Sequence, residues 1–80
     1  MTLVDLRRGD NAQIIAIDSK EHSVQRLMVM GLVEGAKVKC LGRSLGGDPM
    51  EFLIHGSALS LRQMDAQNFS VTIMPKHDKD

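Results

Sequence analysis

The 80-residue sequence contains no tryptophan and no tyrosine, and has only two phenylalanines, two prolines and a single cysteine. Without aromatic rings to line a groove, a proline-rich peptide cannot be recognised in the polyproline mode. The same shortage removes the stacking platform that single-stranded nucleic acid requires. One cysteine, Cys40, cannot close a disulfide within the chain. No apolar run has the length of a membrane span or a secretory signal, so the expected location is cytoplasmic. Charge of one sign is missing too. Ten basic residues balance ten acidic ones, and the two signs alternate along the chain, with Arg7 and Arg8 between Asp5 and Asp10. No phosphate-binding face results.

What the chain does have is aliphatic and methionine side chains, which dominate the 42% of hydrophobic residues. At this length about 60–65% of the unfolded surface can be hidden, enough for one compact domain. No internal repeat or linker divides it. The expected domain covers residues 1–75, and the charged stretch 76–80 reads as a disordered tail.

Glycine punctuates the chain. Leu3, Val4 and Leu6 precede a turn at Gly9-Asp10-Asn11, and Ala12 to Ile17 then reads as a strand, with Ile14, Ile15 and Ile17 placed on both faces. That pattern predicts a central strand sandwiched between a barrel interior and a covering helix. Asp18 followed by Glu21 has the form of a capping box, so a helix is expected from near Ser19 to Gly31. At about 100° per residue, Val24, Leu27, Met28 and Met30 share one side and Val29 points away with His22 and Gln25.

After Gly35, Ala36, Val38 and Cys40 alternate with Lys37 and Lys39, predicting a half-exposed strand to about Leu41. Gly42 to Pro49 reads as the longest loop, Met50 to His55 as a returning strand, and Gly56-Ser57 as a turn. Ala58 to Leu61 follows as a very short strand. Arg62 to Gln67 makes one helical turn, ended by Asn68 in the left-handed conformation. Phe69 to Met74 forms the last strand, stopped by Pro75. The fold class is mainly β: a small SH3-like barrel of about five strands, with one α-helix after the first strand and a short helical turn before the last.

Four glycine-bearing motifs recur in order: Leu3-x-x-Leu6-x-x-Gly9, then Arg26-Leu27-x-x-x-Gly31-Leu32-x-x-Gly35, then Gly47-Asp48-Pro49, then Gly56-x-x-x-Ser60-Leu61-Arg62-x-x-x-Ala66. With this spacing the chain resembles the ferrous iron transport protein A (FeoA) family from Leu3 to Val71. The same domain type looks like the C-terminal module of iron-dependent repressors. The resemblance implies a non-enzymatic cytosolic accessory of bacterial ferrous-iron uptake. Its implied partner is FeoB, a membrane ferrous-iron transporter with a GTPase domain, which would recruit the chain to the inner face of the membrane. Whether such a protein modulates GTP hydrolysis or assembly stays open, as does its oligomeric state. The other readings are an SH3-like regulatory module related to those repressors, and a weak transition-metal-binding protein.

The candidate partner-binding residues are Met28, Val29, Met30 and Leu32, where flexible thioethers beside an exposed valine would make an adaptable contact. The plainer alternative is that they are core or incidental surface. Lys37 and Lys39 are expected to guard an edge strand against pairing. His22, His55, His77 and Cys40 are the only nitrogen and sulfur ligands, and none lies at a helical i, i+4 or C-x-x-C spacing, so no metal site and no cofactor are expected. Cys40 reads as a small buried hydrophobe. Ser57, Ser60 and His55 lack an acid to orient the histidine, and Gly46-Gly47 runs into Asp48-Pro49 and a strand instead of a lysine and a helix. Gly31, Gly35, Gly47, Pro49 and Gly56 are assigned to structural turns.

Overall fold

The computed structural model describes residues 1–75, so the expected tail at 76–80, with His77, lies outside the described residues. Five strands, β1 (Asn11–Ile17), β2 (Lys37–Arg43), β3 (Met50–Ile54), β4 (Ser57–Leu61) and β5 (Phe69–Ile73), form one antiparallel sheet in the order β4-β3-β2-β1-β5. Helix α1 (His22–Val29) follows β1, and the one-turn α2 (Gln63–Ala66) precedes β5, as expected. The alternation in β2 and β3 places Val38, Cys40, Met50, Phe52 and Ile54 inside. Leu3, Leu6, Val24, Leu32, Phe69 and Val71 join them, and among the described residues no polar side chain is buried with them.

Two β-bulges set which residues face that core. The β1–β5 register shifts between Ile14 and Ala16, leaving Ile15 as the extra residue. Residues three apart normally lie on opposite faces of a strand, and one inserted residue restores them to the same face. Ile14 is accordingly buried and Ile17 packs against the core, while Ile15 is 53% exposed. The expected two-sided burial of β1 is therefore corrected: no helix covers Ile15. The second bulge lies between Cys40 and Gly42 where β2 meets β3. Gly42 and Arg43 belong to β2, and the loop shrinks to 44–49, with a 3-10 turn at Leu45–Gly47.

The middle strand of the sheet is β2, not β1, with β1 and β3 as its neighbours. Lys37 and Lys39 are thus on an interior strand and guard no edge. Alternation reveals the face on which a lysine lies, whereas edge or interior position depends on partners distant in sequence.

The start of α1 also differs from expectation. Asp18 donates its N–H to the Asn68 carbonyl at 2.9 Å, and its side chain accepts from Lys20 N–H at 3.3 Å. These bonds hold Asp18 in a turn, so Glu21 becomes the N-cap, without a side-chain cap bond. A capping box forms instead at Thr2 and Asp5, around a 3-10 turn over Leu3–Asp5. Asn68 is not left-handed; its side-chain amide donates to the Met64 and Asp65 carbonyls at 3.1 and 3.3 Å, satisfying the end of α2 directly.

The end of α1 is a Schellman motif. Leu32 N–H donates to the Leu27 carbonyl at 3.1 Å and Gly31 N–H to the Met28 carbonyl at 3.0 Å, with Gly31 at φ +109°. A side chain at Gly31 would also meet His55, since an added Cβ lies 2.8 Å from its Cδ2. His55 and Gly56 form the two-residue β3–β4 loop, at φ +50° and +80°. Both values are positive, as a type I′ hairpin turn requires. Gly35 and Gly47 also have positive φ, and Pro49 follows a cis peptide bond with its carbonyl accepting from Ser44 N–H at 3.0 Å.

Gly31→Ala is expected to cost about 1 kcal/mol or more in chemical denaturation, through left-handed strain and the His55 clash together. In a His55→Ala background the same Gly31→Ala change should cost only the strain component, the difference between the two backgrounds giving the clash. His55→Asn by itself should raise the melting temperature by roughly 2–4 °C, because asparagine adopts the left-handed conformation more readily than histidine.

Candidate partner-docking surface

Helix α1 turns Val24 and Leu27 toward the core, and its Schellman motif then carries the chain back beneath the helix. The geometry divides the four candidate residues. Val29 is 88% exposed and Met30 is 53% exposed, whereas Leu32 is fully buried. Leu32 is the first residue beyond the glycine, and in this motif that position packs against the helix's last turn. It is therefore core, and its assignment to the docking surface is corrected. Met28 lies between the extremes, packed against the core but not sealed within it. Met30 leaves the expected apolar stripe because it is the C-cap, where helical phase no longer holds.

The resulting surface is a short apolar ridge at the helix exit, formed by Val29 and Met30 with part of Met28. Val33, 39% exposed in the turn that follows, extends it. Val33 is not among the residues expected from the sequence, and it stays partly exposed directly after the buried Leu32. The ridge is joined to the rest of the fold at two points. Ser23 Oγ donates to Asp65 Oδ1 at 2.7 Å, tying the first turn of α1 to α2, while Gly31 rests against His55 of the hairpin. Further isolated apolar exposure occurs at Leu45 on the β2–β3 loop and at Met64 on α2; neither adjoins the ridge in sequence.

The remaining candidates are dispersed. Cys40 is 1% exposed, with its sulfur 3.9 Å from the Leu6 carbonyl oxygen, as expected of a small core residue. His22 opens α1 and His55 sits in the hairpin turn, both exposed. Among the described residues no group of three or more His, Cys, Asp and Glu side chains could hold a metal ion. Ser60 donates its hydroxyl to Glu51 at 3.2 Å, so it addresses a neighbouring carboxylate on the sheet and not His55. An open polar cleft of about 390 Å³ lies beside the β2 bulge, between Arg8, Arg43 and Glu51. Arg43 already donates to the Val4 and Leu6 carbonyls at 3.0 and 3.1 Å, which fastens the N-terminal turn to β2. Among the described residues no helix is long and apolar enough to cross a membrane.

Comparison with known proteins places this geometry. The chain matches the FeoA domain family over residues 1–73. The solution structure of the FeoA protein from Chlorobium tepidum is 35% identical, with 98% of this chain and 74% of that one covered at a TM-score of 0.86. Stenotrophomonas maltophilia FeoA complexed with zinc, described as a prokaryotic SH3 domain protein, shares the fold at 24% identity and a TM-score of 0.79, with 90% and 89% covered. A manganese-dependent transcriptional repressor shares the fold at 20% identity over 92% of this chain and 36% of its own, with a TM-score of 0.82. No curated protein matches the chain. The five-stranded sheet is therefore SH3-like, and the chain belongs to the FeoA domain family.

Proposed function

We propose that the chain is a non-enzymatic cytosolic accessory of bacterial ferrous-iron uptake that acts by binding an FeoB-like membrane transporter. The ridge of Val29 and Met30, extended by Val33, is the docking surface. Membership of the FeoA family supports the transport role, and the observation that carries the docking assignment is Val29 itself. A β-branched aliphatic side chain 88% exposed at the end of a well-anchored helix gains nothing from folding, but burying it in a complex would contribute about 1.5 kcal/mol or more. Methionines beside it can adapt to an irregular partner surface. The partner's GTPase domain would draw the chain to the inner face of the membrane without any membrane-embedded segment of its own.

The distinction between Val29 and Leu32 makes the assignment testable. Val29→Asp should leave the melting temperature nearly unchanged, weaken association with the transporter's GTPase domain by about tenfold or more, and reduce ferrous-iron uptake when it replaces the native chain. Leu32→Asp should unfold the protein instead, because it places a charge in an apolar interior. Undiminished binding by a folded Val29→Asp protein, in calorimetry with the purified GTPase domain, would remove the ridge as the docking surface.

A further inference from the structure

The two edges of the sheet are treated differently. The outer edge of β5 is partly occupied by the chain's own N-terminal residues, with Val71 N–H donating to the Met1 carbonyl at 2.9 Å and Thr2 bridged to Ser70. Among the described residues, the backbone of β4 has no such cover on its outer side, and its ladder runs to β3 alone. Edge strands are ordinarily blunted by lysine, proline, a bulge or an overlying segment. The β4 sequence Ser57-Ala58-Leu59-Ser60-Leu61 has no charge and no proline. Its register with β3 is unbroken through five pairs, whereas the β1–β5 and β2–β3 ladders are each interrupted.

The hairpin determines which groups this edge presents. A two-residue loop makes Ile54 and Ser57 the closing hydrogen-bonded pair, and such pairs then recur at every second residue. Ser57, Leu59 and Leu61 therefore direct their backbone groups to β3, while Ala58 and Ser60 direct theirs outward. Both of these residues are exposed.

We propose that β4 is a self-association strand, by which two copies of the chain join antiparallel about a two-fold axis at Leu59. The phase of the edge is self-matching. Setting Ala58 opposite Ser60 of the second copy lets each pair exchange N–H and C=O in both directions, which fills every outward group of the two residues. Leu59 then faces its own copy as a close non-hydrogen-bonded pair, and its half-buried side chain, already against the core, gains an apolar neighbour. Electrostatics do not oppose this pairing. The chain has zero formal net charge, and Glu51, opposite Ser60 on β3, would be separated from its counterpart by three strand spacings, about 14 Å, beyond a Debye length at physiological salt. A second copy is the occupant that the side chains favour, because its uncharged strand sets Leu59 against Leu59.

Sedimentation of the full chain from roughly 10 µM to 1 mM covers the range of such a small interface. The mass should rise with concentration from 8.8 kDa toward twice that value, with slowed amide exchange at Ala58 and Ser60. Ser60→Lys keeps the β3 ladder, adds a charge opposite Glu51, and should weaken self-association by about tenfold through like charges across the axis. Ala58→Pro deletes only an outward N–H and should have a similar effect; circular dichroism melts establish that each variant is folded. A wild-type chain that stays monomeric throughout would overturn the proposal, as would a dimer undiminished in both folded variants. Protection of these amides only on adding the transporter's GTPase domain would also overturn it, assigning the edge to a different occupant.

Discussion

The burial of Phe52 on β3 and of Phe69 on β5 is the constraint on which the rest depends. They are the largest side chains sealed from solvent, and both project from strands that cannot bury them without the others. Phe52 needs β2 and β4 on either side of β3, and Phe69 needs β1 beside β5 together with the N-terminal turn. An 80-residue chain has little apolar surface to spare, so every strand must present its full inward set. Among the described residues the interior contains no polar side chain, and an apolar core excludes a one-residue slip, which would turn the inward set outward, but does not by itself exclude a slip of two.

Register is therefore imposed by the backbone. The bulge at Ile15 brings Ile14 and Ile17 to the same side; the bulge before Gly42 lets β2 continue past Cys40 while Arg43 fastens the N-terminal turn through the Val4 and Leu6 carbonyls. The type I′ loop at His55-Gly56 sets the phase of β4, and the Schellman motif sends Leu32 inward as soon as α1 stops. These devices are local, and each acts on the facing of residues some distance along the chain. The exposed surfaces follow from the same geometry: Val29 is left outside by the turn that buries Leu32, and the outward groups of Ala58 and Ser60 are dictated by the hairpin that seals Phe52.

Cys40 is sealed and Ser60 is engaged with Glu51, while His22 and His55 stand apart from each other at the surface. Beside isolated apolar residues such as Leu45 and Met64, the surface carries a ridge of side chains and a strip of unguarded backbone. Gly31 lies beside His55, so the helix exit and the hairpin that bear them are neighbours.

Alternation and glycine spacing were sufficient, before any coordinates, to indicate five strands, a helix after the first, a helical turn before the last, the inward set of β2 and β3, and the exposure of Val29. All of these depend on the periodicity of short segments, which composition and order encode directly. The solvent face of Ile15, the interior place of β2 with its lysines, the burial of Leu32, the late start of α1 and the side-chain cap by Asn68 were decided only in the folded chain. Three of them depend on a partner far away in sequence: Ala16 against Ser70, Lys39 against Leu53, Asp18 against the Asn68 carbonyl; the burial of Leu32 and the Asn68 cap follow from bonds within five residues, whose geometry periodicity does not encode. A residue's own period reports its face, but what lies across that face is settled by the closure of the sheet.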